Sequence, residues 1–213
     1  MKKMLATALL VLIVGAIFIC YSKAMLDRRK AEGLLAVVKQ LPVGAVGRAD
    51  VLNAISRFSG YTREITNEGL QEIEFSFDNH WLARLKLAPY TEFRGTLTFR
   101  DGILVRKHAT EFIPASGCAA KVTERKRGEG FANGIAPQDF PRHTVTGTWN
   151  SPTNARLIYV ENDNTYGEAQ RRSDWTFNLS CLTRIGGCRD ARYVLPGVVP
   201  PPYQTKTSPN QGQ

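Results

Sequence analysis

Residues 4–21, MLATALLVLIVGAIFICY, carry no charge, and this run restricts the chain more than any other feature. Coiled as an α-helix it reaches about 27 Å, close to the hydrocarbon thickness of a bilayer. It is therefore a membrane segment. Lys2-Lys3 before it and Ser22-Lys23-Ala24 after it also spell a secretory signal with a small-x-small cleavage site. The apolar run is longer than most cleaved signals, and Ala24 to Leu41 continues with helix-forming residues, which favours an uncleaved anchor over residues 1–23. Met4, Leu10, Val14, Phe18 and Tyr21 are its anchor residues, and the lipid bilayer is its partner. Lipidation at Cys20 is disfavoured, because Ile19 stands where a small residue is needed.

The net charge of +9 suggests nucleic acid or an anionic surface until its distribution is considered. Residues 1–30 hold Lys2, Lys3, Lys23, Arg28, Arg29 and Lys30 against Asp27 alone, more than half of the excess. The charge belongs mainly to the membrane flanks. The basic residues after the apolar run outnumber those before it, which favours a cytoplasmic body by the positive-inside rule. A short tail with two lysines leading straight into an apolar run is, on the other hand, how exported chains commonly begin, and on this signal the expected body is extracytoplasmic, periplasmic where the cell has an outer membrane.

Past the anchor, Leu34, Val37, Val38 and Leu41 recur at helical spacing until Pro42. A second helix is predicted from about Arg48 to Phe58, with Val51, Leu52, Ile55 and Phe58 on one face and Gly60 at its end. The period then changes to two. Ile73, Phe75 and Phe77 alternate with Glu72, Glu74, Ser76 and Asp78; WLARLKL alternates through Trp81, Ala83, Leu85 and Leu87; and FRGTLTFRDGILVRKHATEF reads as two strands joined by Asp101-Gly102.

This order, with LPVGAVGRADVLNAISRFSG and the closing LTFRDGILV, resembles the BamE (SmpA/OmlA) family of small envelope lipoproteins over about residues 33–111. Leu41, Gly44, Val51 and Gly60 match the family's leucine, glycine, helix valine and closing glycine, and Phe99, Asp101, Gly102 and Leu104 its final hairpin. Val46-Gly47 stands where the family has Ser/Thr before the second helix, and the lipobox is missing. The resemblance implies a helix-helix-strand fold, and no lipid anchor comes with it.

In the second half, residues 114–141 are rich in Gly, Ala and charge, including Glu124-Arg-Lys-Arg127, and read as an exposed loop. HTVTGTWN and ARLIYVEN read as two strands around the turn-rich Asn150 to Asn154, either extending the first sheet or forming their own hairpin. A helix is expected from a capping box at Thr165 and Glu168 through Trp175, Leu179 and Leu182 to Gly186-Gly187. That places Cys181 in its last turn and Cys188 just past the stop, where a chain reversal brings two Cα atoms within the disulfide range of about 4.4 to 6.8 Å. A structural clip between Cys181 and Cys188 is the favoured reading, with Cys118 a competing partner. The spacing suits neither a zinc site nor a thioredoxin-like centre.

No phosphate-binding loop, nucleophile elbow or H-E-x-x-H pair is present, and His80, His108 and His143 stand apart; Asp78 and His80 share one strand face. No cofactor is implied. The tail from Pro196 onward is Pro-rich and reads as disordered, with Pro200, Pro201, Pro202 and Tyr203 able to dock on a partner.

The expected architecture is α+β: an N-terminal transmembrane helix over 1–23, two helices packed on an antiparallel sheet over 24–112, an added strand pair and C-terminal helix over 113–195, and a tail over 196–213. The expected role is that of a non-enzymatic binding or scaffolding module of the cell envelope, holding an envelope protein near the membrane. The alternatives are a cytoplasm-facing membrane protein whose basic second half binds anionic lipid or nucleic acid, and an enzyme with a site assembled from distant residues. The concentration of charge at the membrane flank argues against nucleic acid.

Overall fold

The computed structural model describes residues 2–67, 70–128, 143–151 and 154–198. The chain opens with α1 (Lys2–Gln40) and α2 (Arg48–Ile55), the latter passing into a 3-10 turn over Ser56–Tyr61. Strands β1 (Thr62–Asn67) and β2 (Leu70–Asp78), the short helix α3 (His80–Arg84), and strands β3 (Glu92–Arg100), β4 (Ile103–Ile113) and β5 (Cys118–Arg125) follow. The chain continues through β6 (His143–Ser151), β7 (Asn154–Asp163), α4 (Glu168–Asp174), a 3-10 turn over Leu179–Leu182 and α5 (Ala191–Val194). The fold is α+β, with seven strands in one sheet of order β1-β2-β3-β4-β5-β7-β6. Neighbours are antiparallel except β5 and β7, so the sheet is mixed and the second-half strands extend the first sheet.

α1 is one helix with two different surfaces. The large apolar side chains between Met4 and Tyr21 are exposed, whereas Ala31, Leu34, Leu35 and Val38 are buried against the sheet. The first part is long and apolar enough to cross a membrane, and it contributes nothing to the core. The sheet face beneath α1 carries Ile73, Phe75, Phe77, Leu97, Ala109, Val122 and Val160. α5 packs on β5 and β7, and the 3-10 turn Leu179–Leu182 on α1 and β3. Both halves of the sequence thereby share one core.

The β3–β4 hairpin forms as its Asp-Gly signal predicts. Asp101 and Gly102 both take left-handed φ values, 51° and 74°, the conformation required by the two-residue turn whose twist matches its strands. The segment joining α1 to α2 is stitched to the same hairpin: Gly44 N donates to Leu104 O at 2.7 Å, Leu104 N to Val46 O at 3.0 Å and Arg48 N to Gly102 O at 2.8 Å. Gly47 is the N-cap of α2 and offers no side-chain acceptor, so these backbone bonds position the helix start.

Three expectations are corrected. WLARLKL is not a strand: α3 and a following turn occupy it, begun by the Asp78 carboxylate accepting from His80 N at 2.9 Å, with Leu82 buried and Trp81 and Leu85 exposed. Over seven residues a period of two and a period of 3.6 are poorly separated, and the side-chain turn at Asp78 decides between them. The expected helix through Leu182 starts later and ends sooner: the Thr165 hydroxyl bonds Asp163 Oδ1 (2.6 Å) and leaves Gly167 as the N-cap, the helix stops at Asp174, and Asn178 caps a separate 3-10 turn. The i, i+4, i+7 spacing of Trp175, Leu179 and Leu182 reflects a shared core and not one helix. Residues 118–125 are not loop but β5, with Glu124 and Arg125 of the basic cluster buried in it.

Glu124 and Lys107 form the most consequential polar contact of the interior. Both side chains are 1% exposed, with Lys107 Nζ 3.2 Å from Glu124 Oε2, and Arg171 Nη1 lies 2.5 Å from Glu124 Oε1. Lys107 Nζ also donates to Leu41 O (2.8 Å), Val38 O (3.1 Å) and Lys39 O (3.4 Å), and it lies 5.0 Å from the centre of the Trp175 ring. These carbonyls belong to the end of α1, where partial negative charge accumulates and the helix has no acceptor partners of its own. Burial pushes the Lys107 pKa down, and Glu124 opposes that. Lys107→Met is expected to lower stability in urea unfolding of the detergent-solubilised chain by about 3 kcal/mol, since the carbonyls lose their donor and Glu124 part of its counter-charge. Lys107→Met with Glu124→Gln should recover part of that loss. Equal stability of single and double variants would mean that the ammonium–carboxylate pair is not the source.

Candidate binding groove

The second face of the sheet is polar at its β1–β4 end. Because side chains alternate along a strand, burying Ile73, Phe75 and Phe77 turns Glu72, Glu74 and Ser76 outward. The register then aligns Glu74 with Arg63 on one side and Thr96 on the other, and Glu72 with Thr98. Thr96 and Thr98 in turn stand opposite His108 and Arg106 of β4. The outcome is a groove of about 720 Å³ whose polar lining includes Arg63, Glu72, Glu74, Glu92, Arg94 and His108.

Part of this lining is already paired within the protein. Thr98 Oγ1 donates to Glu72 Oε1 at 3.0 Å, Arg106 Nη2 lies 3.6 Å from the same oxygen, and Ser76 Oγ donates to Glu92 Oε1 at 3.2 Å. Each carboxylate keeps acceptor capacity beyond these bonds. His108 differs from the rest. Burial first, then the cations Lys121, Arg106 and Arg94, pushes its pKa down to about 4. It is therefore a neutral imidazole near neutral pH, able to donate through one nitrogen and accept through the other. Alternating donors and acceptors along strand-spaced positions suit a polar, extended polypeptide segment better than an apolar small molecule.

The residues singled out from sequence are distributed elsewhere. Cys181 and Cys188 are joined, with Cα atoms 5.5 Å apart, and Cys118 is free and buried. Burial, then Asp190 and Glu111, pushes the Cys118 thiol up to about 12, which keeps it protonated and unreactive. Met4, Leu10, Val14, Phe18 and Tyr21 are all exposed on α1. His80 Nδ1 lies 3.1 Å from Asp78 Oδ1, across the junction of β2 and α3 and not on one strand. Pro200, Pro201, Pro202 and Tyr203 lie outside the described residues. Among the described residues no group of three or more His, Cys, Asp or Glu side chains converges as metal ligands would. Arg94, Arg106, Glu72 and Glu92 escape the sequence reading because charges at alternate strand positions describe any solvated sheet face; only the register shows that they line one hollow.

One buried group lies on the opposite face. Glu111, fully buried on β4, has both carboxyl oxygens without a hydrogen-bond partner among the described residues, and burial pushes its pKa well above the usual carboxylate range, against the pull of Arg28. Burial therefore favours its neutral form.

Compared with protein-family models, curated proteins and solved structures, the chain matches none. The groove must therefore be interpreted from its own chemistry.

The depressed His108 pKa has a sign that can be checked. The unfolded chain binds a proton near pH 6.5, its ordinary value, and the folded chain only near 4, so stability is full above about 6.5 and falls as the pH drops toward 4. His108→Gln is expected to remove on the order of 2 kcal/mol of this acid-dependent loss, allowing for partial exposure of the ring. Unfolding midpoints of the two proteins at a series of pH values between those limits measure it, and parallel curves would contradict the assignment.

Proposed function

We propose that the protein is a single-pass membrane protein whose extracytoplasmic body is a binding module, presenting the polar groove to a segment of an envelope protein. The observation that carries the reading is the continuity of α1, whose exposed apolar first half passes into a core-packed second half without a break. A body joined to its anchor by a flexible linker sweeps a volume, whereas one built around the anchor's own helix stays at a set height and attitude. Such placement suits holding a partner near the membrane. The mixed charge of the groove supports a protein partner over nucleic acid, which calls for a surface dominated by Lys and Arg. The resemblance of residues 33–111 to BamE-type modules is in keeping with an envelope role.

The Cys181–Cys188 pair supports the extracytoplasmic orientation, because structural disulfides persist in oxidising compartments. Alkylation of intact cells before and after reduction, followed residue by residue by mass spectrometry, tests it. Cys181 and Cys188 are expected to react only after reduction. Ready alkylation of both without reductant would instead give a cytoplasmic body, as the basic juxtamembrane flank would have it. Extraction of membranes at alkaline pH tests the anchor, which is expected to hold the full chain in the pellet; complete release would contradict it. For the groove, a photocrosslinker at Arg94 or His108 should capture an envelope protein that one at Glu168, on α4, does not.

A further inference from the structure

The apolar run of α1 ends at Tyr21, and the body begins to pack on the helix before that point is passed. Cys20 and Ala24 lie against Leu82, Leu87 and Ala88, which belong to α3 and the turn after it. The buried Asn79 holds this turn closed, donating from Nδ2 to Pro89 O at 3.0 Å and accepting from Thr91 N at 2.8 Å. A second loop sits beside it. Arg28 Nη1 of α1 donates to Thr183 Oγ1 at 3.2 Å, and Gly187, at φ 68°, abuts Pro89 so closely that a Cβ there would lie 2.2 Å from its ring. The Cys181–Cys188 bridge closes this loop, which therefore keeps its place against the turn.

Together the two segments form a shoulder beside the exit of α1 from its apolar run. Trp81 of α3 is 40% exposed, Leu85 of the turn after it 41% and Ile185 of the disulfide-closed loop 73%. Exposed cations stand among them: Arg84 and Lys86 beside Trp81 and Leu85, and Arg184 next to Ile185. Tryptophan and leucine interleaved with Lys and Arg, at the end of a bilayer-length apolar helix, is the composition of the headgroup layer: aromatic rings settle at its apolar boundary and cations meet the phosphates.

We propose that the shoulder formed by residues 79–90 and 181–188 rests in the phospholipid headgroup layer, with Trp81, Leu85 and Ile185 dipping toward the acyl chains and Arg84, Lys86 and Arg184 on lipid phosphates. This rests on the reading that α1 crosses the membrane. The occupant is the bilayer because the patch adjoins the point where the helix leaves the apolar run, so a crossing α1 brings lipid to it without any further binding event. The disulfide then has a local task, that of keeping the Ile185 loop in the plane of the shoulder. The body acquires a second attachment, which sets its tilt relative to the bilayer as well as its height.

The test uses the full chain reconstituted in vesicles of phosphatidylcholine and phosphatidylglycerol whose acyl chains are brominated close to the headgroup, with tryptophan fluorescence as the readout. Flotation of the same vesicles after alkaline washing reports separately whether α1 is inserted. With Trp149 replaced by Phe throughout, the expected result is flotation together with quenching that Trp81→Phe abolishes, since the remaining Trp175 is sealed in the core. Moving the bromines to the chain ends should weaken the quenching, and replacing Arg84, Lys86 and Arg184 by Gln should reduce it at least twofold. Flotation with Trp81 unquenched would overturn the shoulder and leave the anchor standing. Failure to float would overturn the anchor, and the shoulder with it.

Discussion

A single buried ammonium joins parts of this protein that lie far apart along the chain. Lys107 projects from the middle of β4 onto the carbonyls that close α1, meets Glu124 of β5, and through Glu124 reaches Arg171 of α4, with Trp175 over it. Ion pairs buried in this way stabilise a fold little compared with well-packed apolar residues, because desolvating both charges offsets most of their attraction. Their influence is on register. An ammonium in the core has few acceptable positions, and a shift of β4 by one residue would take it from the helix carbonyls to the groove face. The end of α1, the alignment of β4 with β5 and the seat of α4 are thus settled by one group.

The same reasoning explains which parts of the structure are legible in the sequence. The alternation in β2, the Asp101-Gly102 hairpin, the apolar faces of the first two helices and the Cys181–Cys188 clip follow from patterns that water enforces, namely apolar side chains inward at a fixed period and glycine where φ is positive. β5 is illegible for the opposite reason. Glu124 and Arg125 read as solvent-facing charges within a basic cluster, and only the buried partner on β4 turns Glu124 into an interior residue. The polar groove is hidden in another way, since the charges are plain in sequence while their convergence depends on the pairing of four strands. α3 fails because its segment is too short for periodicity to speak and a side-chain turn at Asp78 decides.

Glu111 shows that this core is not optimised throughout. It occupies a core-facing position on β4, two residues from the apolar Ala109 and Ile113, yet it is buried with no hydrogen-bond partner among the described residues, a condition that lowers stability unless the acid stays neutral. Lys107 and Glu111 thus represent two outcomes of placing charge on the same strand face. One is compensated by helix carbonyls and a counter-ion, whereas the other has no hydrogen-bond partner among the described residues and is pushed toward its neutral form by burial.

Rigid continuity then links the interior to the apolar first half of α1. At 1.5 Å per residue, the 39 residues of α1 extend about 58 Å, with the first half outside the core and the second half inside it. Any rotation or tilt of the first half must be carried into the body, because no glycine–proline break or loop lies between them to absorb it. The sheet packs on that helix with the groove on its far face, so the direction in which the groove points is a property of the helix's attitude. In the proposed reading of an anchored binding module, this continuity would make the anchor an orienting device. The buried contact at the C-terminal end of α1 and the apolar contact of Cys20 and Ala24 with α3 hold the body to the helix at two separated points, and two points suffice to prevent it from pivoting.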